Sequence, residues 1–300
     1  MKVENAFILG AGLGTRMGEV GKVLPKLLWP VFEKSLLELQ VDFAKSLGVQ
    51  NIYINTHFHA EQIHKYISEK KLNINVLHEE SLLDIGGGIH NLAKLLSYKG
   101  KVLILNGDQF LFQEISHYER LINLSDNYTA TLLGLKVSHD SGYNELILEN
   151  NQLIEITKHD SKEDYFTYSG SSIINLSKLI PVSGESKFFD SVAKYKDQSV
   201  YVYNHDELEY WDFGTAERYF ESMRKVFSLK QSHLYNFLIN SNAITVSKVG
   251  KNSTYNCTGT PYSINLTNEE NPGFGNIVIE GKDDSTFKKC IVFNEIKTQI

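Results

Sequence analysis

The chain has 300 residues, 42% of them hydrophobic, with 21 glycines and 5 prolines, the composition of a globular protein rather than a disordered or collagen-like one. Thirty lysines and arginines against 36 aspartates and glutamates give a net charge of −6, which argues against a nucleic-acid or anionic-membrane surface and makes any basic site local. Two cysteines, Cys257 and Cys290, are too few for a disulfide framework and fit no zinc-ligand spacing; the N-terminal apolar run is too short for a span or a secretory leader, so the expected setting is the cytoplasm.

Taken in order, Val3 to Leu9 is a near-continuous apolar run ended by glycines, the mark of a strand buried on both faces. Ser35 to Leu47 carries a broad apolar helical face, with serine placed to cap it and Gly48 to stop it. Ile52 to Asn55 reads as a strand, Ala60 to Ile67 as a helix and Ile74 to Leu77 as a strand. A glycine-rich turn is expected at Gly86 to Gly88, then a helix over Ile89 to Leu96 and a fourth strand over Val102 to Leu105. This alternation predicts a mainly parallel sheet covered by helices, an α/β fold of Rossmann-like type, with ligands at the C-terminal strand ends.

From Thr129 to about Tyr203 strands dominate: 129–137, 146–148, 153–157, 166–174 and 200–203. An antiparallel extension or flap accounts for them. Thr215 to Phe227 reads as a helix closing this unit, so residues 1–228 form one expected domain. Residues 229–300 form a β-rich extension, rich in Asn, Ser, Thr and Gly, with a helical stretch at His233 to Ile239 and brief strands at 277–280 and 289–293. A hint of solenoid-like rungs makes it a partial β-helix or an oligomerisation element, compatible with a homodimer interface.

Chemistry starts at Gly10-Ala11-Gly12-Leu13-Gly14-Thr15-Arg16, directly after the first strand. Glycines there let backbone N–H groups approach a phosphate, and Arg16 adds a charged partner. The third glycine of a dinucleotide fingerprint would fall at residue 15, which is threonine, and no Gly-Lys-Ser/Thr closes a P-loop. The residues alone leave a phosphate loop and a plain glycine turn both open. Asp108, after Leu105-Asn106-Gly107, is either a carboxylate at the sheet's C-terminal edge or a turn residue; Asp212, before Gly214-Thr215, is either a ligand or a helix cap. His57, His59 and His64 lack a fourth ligand for zinc, and Trp211 reads as core.

Gly12-x-Gly14-Thr15-Arg16-Met17, followed after the stretch to Leu24 by Pro25-Lys26, resembles the signature loop of the sugar-1-phosphate nucleotidyltransferases. Four more segments match that family in order: Leu83-Asp84-Ile85-Gly86-Gly87-Gly88-Ile89, Leu105-Asn106-Gly107-Asp108, Phe166-Thr167-Tyr168-Ser169-Gly170 and Trp211-Asp212-Phe213-Gly214-Thr215-Ala216-Glu217-Arg218. The resemblance covers residues 1 to about 228. Asn55-Thr56-His57 and the triple glycine look most like the N-acetylmuramate-1-phosphate uridylyltransferases and the mannose- or heptose-1-phosphate guanylyltransferases. It implies a cytoplasmic, magnesium-dependent transferase that makes an NDP-sugar and pyrophosphate from a nucleoside triphosphate, UTP or GTP, and a sugar-1-phosphate.

The resemblance further implies roles. Arg16, Lys26 and Asp108 are catalytic; Gly10, Ala11, Gly12, Gly14, Thr15, Gly86, Gly87 and Asn106 hold the nucleotide. Asn144, Lys158 and Gly170 hold the sugar phosphate, and Asp108 and Asp212 the metal. Positive charge is needed because two polyanions must meet before the sugar phosphate can attack the α-phosphorus. Ile85, Thr157 and His159 depart from the family pattern, which motivates the rival reading of a catalytically weak nucleotide- or NDP-sugar-binding regulatory protein on the same fold. A nicotinamide-dependent oxidoreductase is a third, weaker reading, disfavoured by Thr15 and Pro25.

Overall fold

The computed structural model describes residues 3–250, 252–283 and 286–300. The strands are, in chain order, β1 (Asn5–Leu9), β2 (Pro30–Val31), β3 (Lys34–Ser35), β4 (Asn51–Thr56), β5 (Asn75–His78), β6 (Lys101–Asn106), β7 (Gln109–Phe112) and β8 (Ala130–Val137). Then follow the hairpin β9 (Asn144–Glu149) and β10 (Gln152–Lys158), the long β11 (Tyr165–Asn175), β12 (Val200–Tyr203) and β13 (Glu209–Asp212). Nine of them build one mixed sheet in the order β5-β4-β1-β6-β11-β8-β12-β10-β9. The first four are parallel, as the alternation predicts; β11 runs antiparallel to β6 and β8, and β12 parallel to β8. The strands after residue 129 therefore extend the sheet itself instead of lying over it.

Why β1 reads as an unbroken apolar run is visible in its surroundings. Ala6 and Ile8 enter a core with Leu37 and Val41 of helix Leu36–Ser46, while Phe7 enters a second core with Ile89 and Leu92 of helix Asp84–Leu95. Each fully buried Phe, Leu or Ile contributes about 1.5–3 kcal/mol relative to exposure. Helix Leu36–Ser46 starts on a capping box, Glu38 N–H to Ser35 Oγ at 3.2 Å and Ser35 N–H to Glu38 Oε2 at 3.0 Å, the serine cap expected from sequence.

The expected glycine turn at 86–88 is instead the first part of helix Asp84–Leu95. Glycine is needed there for close approach: a Cβ on Gly86 would lie 2.5 Å from the Lys187 carbonyl oxygen and 2.6 Å from that of Ser186. The Gly87 N–H donates to Ser186 O at 3.0 Å, and the Ser186 N–H to Leu83 O at 3.0 Å. Tertiary packing has overridden the usual cost of glycine in a helix.

β7 and β13 form a separate antiparallel ribbon in which Asp212 faces Gln109. The tail adds β14 (Ile264–Asn265), β15 (Ile277–Glu280), β16 (Cys290–Phe293) and β17 (Ile296–Gln299). The first three are parallel rungs with Ile264, Ile277 and Ile291 in register, and β17 returns antiparallel. Asparagines close the corners: Asn265 Nδ2 donates to Glu269 O at 2.8 Å, and Asn276 bonds Asp283 at 2.6 Å while accepting from Cys290 N–H at 2.9 Å. Ile264, Ile277, Ile291 and Tyr255 share one continuous core with Trp29 and Met223. No helix among the described residues is long and apolar enough to cross a membrane.

Candidate active site

The loop after β1 is anchored from behind and open in front. Gly10 donates its N–H to Asn55 Oδ1 at 2.7 Å, and a Cβ there would lie 2.7 Å from Asn55 O. Gly12 meets nothing within 4 Å of where its Cβ would be. Gly14 sits at φ 65°, in the left-handed region that favours glycine, and starts the 3-10 turn Thr15–Met17. Met17 is wholly buried, which leaves Arg16 exposed on the opposite side. Ala11, Gly12, Arg16 and Lys26 line a cavity of about 370 Å³ together with Asn106, Gly107 and Asp108. Gly10, Gly14 and Thr15 shape the loop without lining that cavity.

Asp108 follows β6 and is 6% exposed. Its Oδ2 accepts the Lys26 ammonium, and the Phe213 N–H donates to its carbonyl at 2.9 Å. A Cβ on Gly214 would lie 2.7 Å from Asp108 Oδ2 and 2.8 Å from Asp212 Oδ1, so glycine keeps open a space that both carboxylates border. Asp212 is held by four donors: Gly214 N–H at 2.6 Å on Oδ1, and Tyr143 at 2.8 Å, Tyr210 at 3.0 Å and Arg218 at 2.6 Å on Oδ2. The Arg218 guanidinium also lies 4.9 Å from the Tyr143 ring centroid. Burial, with the Asp212 charge beside it, pushes the Tyr210 phenol far up, and burial raises Tyr143 as well. Both phenols stay protonated and act as donors.

A second cavity, of about 440 Å³, shares Leu9, Asp84, Ile85 and Asn106 with the first. Its remaining wall is aromatic and mixed polar and includes Tyr143, Tyr168, Phe188, Tyr210, Gln109, Lys187 and Asp190. Gly170, at φ 85°, lies so close to the Asn106 amide that a Cβ would collide with it; Asn106 Nδ2 donates to Gln109 Oε1 at 2.6 Å.

Of the residues expected from sequence, Ala11, Gly12, Arg16, Lys26, Asn106, Asp108 and Gly170 line these cavities, and Asp212 stands behind Tyr143 and Tyr210. Gly86 and Gly87 line neither and are packed against residues 184–187. Lys158 and Asn144 are paired across the outer hairpin β9–β10, exposed and outside both cavities. Tyr143, one residue before Asn144, is the member of that turn that reaches the cavity. Gln109, Tyr210, Lys187 and the buried Glu79, which accepts from Asn55 Nδ2 at 2.8 Å and Leu83 N–H at 3.1 Å, were not singled out from sequence and sit outside a recognisable local pattern; Arg218 closes the Trp211 to Arg218 motif, but the motif alone gave it no role. His57, His59 and His64 go separate ways, to Glu79 O, Lys22 O and Thr56 Oγ1.

Asp108 and Asp212, both hard oxygen donors bordering the Gly214 space, fit a magnesium-type ion that completes its shell with phosphate oxygens and water. Among the described residues no group of three His, Cys, Asp or Glu side chains is gathered to hold a metal by protein ligands alone.

Comparison with known proteins gives the same picture. The chain is 28% identical over 229 residues to a bifunctional sugar-1-phosphate nucleotidylyltransferase/acetyltransferase of Sulfurisphaera tokodaii, covering 70% of this chain and 52% of that protein. It is 30% identical over 137 residues to the D-glycero-alpha-D-manno-heptose 1-phosphate guanylyltransferase of Campylobacter jejuni, covering 45% and 58%. The matches thus span little more than half of each relative's length. The crystal structure of HddC from Yersinia pseudotuberculosis superposes with a TM-score of 0.63 at 21% identity, over 74% of this chain and 99% of that one, a likeness of fold. The model of the Nucleotidyl transferase family matches residues 5–228. Glycine loop, paired carboxylates and family model agree, and the chain belongs to the nucleotidyl transferase family.

Proposed function

We propose that the protein joins a nucleoside triphosphate to a sugar-1-phosphate and releases pyrophosphate and an NDP-sugar. The observation that carries this reading is the pair of cavities sharing one wall at Leu9, Asp84, Ile85 and Asn106, one flanked by Arg16 and Lys26 and the other by aromatic and amide groups. Triphosphate belongs in the first and sugar in the second, so that the two reactants meet at the ends of β1 and β6. A phosphate oxygen of the sugar-1-phosphate attacks the α-phosphorus, and the bond from that phosphorus to the bridging oxygen of the pyrophosphate breaks. The nucleophile is already an anion at neutral pH, so no general base is required; Arg16 and Lys26 offset the charge that would otherwise keep the reactants apart.

Asp108 and Asp212 would hold magnesium, which when bound supplies positive charge to the phosphate oxygens and fixes their geometry. Tyr143, Tyr210 and Arg218 keep the Asp212 carboxylate oriented. On the sugar side, Gln109 and Gly170 contact hydroxyls and Lys187 supplies the cation that lines the cavity, a role that Lys158, on the outer hairpin and outside both cavities, leaves open. The two pairs that fit the resemblance are UTP with N-acetylmuramate-1-phosphate and GTP with mannose- or heptose-1-phosphate. The acceptor carboxylates of Glu79 and Asp84 in the triphosphate cavity suit a base that donates N–H groups, as guanine does through two neighbouring nitrogens and uracil through one, and the name of the Campylobacter relative supports GTP. The test is Asp108→Asn in a pyrophosphate-release assay: turnover falls by about 100-fold while circular dichroism shows the chain still folded, and near-normal turnover would overturn the assignment.

A further inference from the structure

The tail touches the glycine loop at one buried point. Thr298, on β17 and 7% exposed, accepts the Val20 N–H on its Oγ1 at 3.1 Å, a contact between residues 278 apart in sequence. Its methyl group fills the space in front of Gly18, where a Cβ would collide with it; Gly18 has φ 66° and ψ −156°, a conformation for glycine alone. Thr298 is itself placed by the rung stack, being in register with the buried Ile291 of β16.

The chain that continues from this loop is fastened to the C-terminal residues as well, past β2 at Phe32 and Glu33. Glu33 accepts from Tyr255 OH at 2.5 Å and from Lys248 Nζ at 2.9 Å. The Glu33 N–H donates to Ala243 O at 2.8 Å, and the Phe32 and Tyr255 rings meet edge to face at 5.0 Å. Arg16 and Lys26, the cations of the triphosphate cavity, therefore lie on a segment clamped from the tail near its start and at its end. Arg16 is exposed, so the path of its backbone is what fixes where its charge stands. Val20 and Gly18 come directly after the buried Met17 that anchors that path.

We propose that the rung stack is a positioning element for the triphosphate loop, and that Thr298 is the residue through which it acts. This rests on reading residues 9–26 as the triphosphate loop. The chemistry follows from geometry: a shifted loop misplaces Arg16 toward the triphosphate and leaves the sugar cavity, built from β11, β13 and the 184–190 segment, as it was.

The test uses the full chain with Thr298→Val, which keeps the shape and removes the acceptor, and Thr298→Ser, which keeps the acceptor. In Thr298→Val the KM for the nucleoside triphosphate rises about fivefold, the ratio one neutral hydrogen bond supports, while the KM for the sugar-1-phosphate stays within about twofold. Thr298→Ser restores the wild-type triphosphate KM. Independently of any turnover, amide hydrogen exchange across residues 15–22 of the unliganded protein quickens in Thr298→Val and not in Thr298→Ser. Equal changes in both KM values, or unchanged exchange in a folded Thr298→Val, would overturn the proposal. A wild-type chain with no turnover refutes the enzymatic reading instead, and the exchange measurement then decides on the clamp by itself.

Discussion

Lys26 and Asp108, 82 residues apart in sequence, form an ion pair in the wall of the cavity that Arg16 also lines. The lysine side chain is 22% exposed and the aspartate 9%, so neither charge is well solvated without the other or without a ligand. Lys26→Gln should act twice. Leaving Asp108 alone costs about 2–3 kcal/mol of stability, read by urea unfolding, and loss of the charge lowers turnover by about 100-fold. Unchanged stability would mean that the pair is not formed in solution.

Arg218 and Asp212 give a second test away from Arg16 and Lys26. Arg218→Met strips from Asp212 a charged donor at 2.6 Å, leaving Tyr143, Tyr210 and the Gly214 N–H. Stability falls by about 1–3 kcal/mol. Tyr143→Phe removes one neutral hydrogen bond from the same carboxylate and should cost less, about 1 kcal/mol. The reverse ranking in urea unfolding would contradict the described role of Arg218.

Two glycines of the motifs separate by what surrounds them. Gly12→Ala enters open space, so the melting temperature should stay within about 1 °C while the triphosphate KM rises. Gly86→Ala collides with the Lys187 and Ser186 carbonyls and should lose about 1–3 kcal/mol of stability. If thermal melts show Gly86→Ala as harmless, helix Asp84–Leu95 does not pack as described.

These glycines also show what was legible in the sequence. β1, β4 and β6 could be read because strands buried on both faces are continuously apolar, and helix Leu36–Ser46 because Ser35 and Glu38 make a local cap. Gly86 to Gly88 read as a turn because what they pack against is distant in sequence: Gly86 and Gly87 meet residues about a hundred positions on, and Gly88 meets Asn55 and Glu79. The β7–β13 ribbon was invisible for a related reason: each strand is four residues long and gains meaning only from its distant partner. Arg16, Lys26 and Asp108, which line one cavity, could be picked out because their spacing is local to motifs. Tyr210, Gln109 and Lys187 are brought to the cavities by tertiary folding and carry no pattern. The rungs were only a hint until Ile264, Ile277 and Ile291 were seen in register.

The Glu33 fastening predicts a pH dependence. Burial works to raise its carboxyl, but hydrogen bonds from Lys248 and Tyr255 and the lysine charge hold it below the ordinary 4.5. A depressed value means that the contribution is present above 4.5 and is lost as pH falls through the lower folded value. Glu33→Gln should therefore melt about 1–2 °C lower near neutral pH, with the gap closing in acid. A gap that does not narrow as the pH is lowered below 4.5 would show that the charge is not what Glu33 contributes.

The central claim is the reaction itself, and the most direct measurement is pyrophosphate release with magnesium. UTP, GTP, CTP, ATP and dTTP are crossed with N-acetylmuramate-, mannose-, heptose-, glucose- and N-acetylglucosamine-1-phosphates. Turnover concentrated in one nucleotide and sugar pair, with GTP as the expected nucleotide, is the predicted result. No turnover anywhere in the grid, together with thermal stabilisation by one nucleotide, would contradict it and make the protein a binder on a transferase fold.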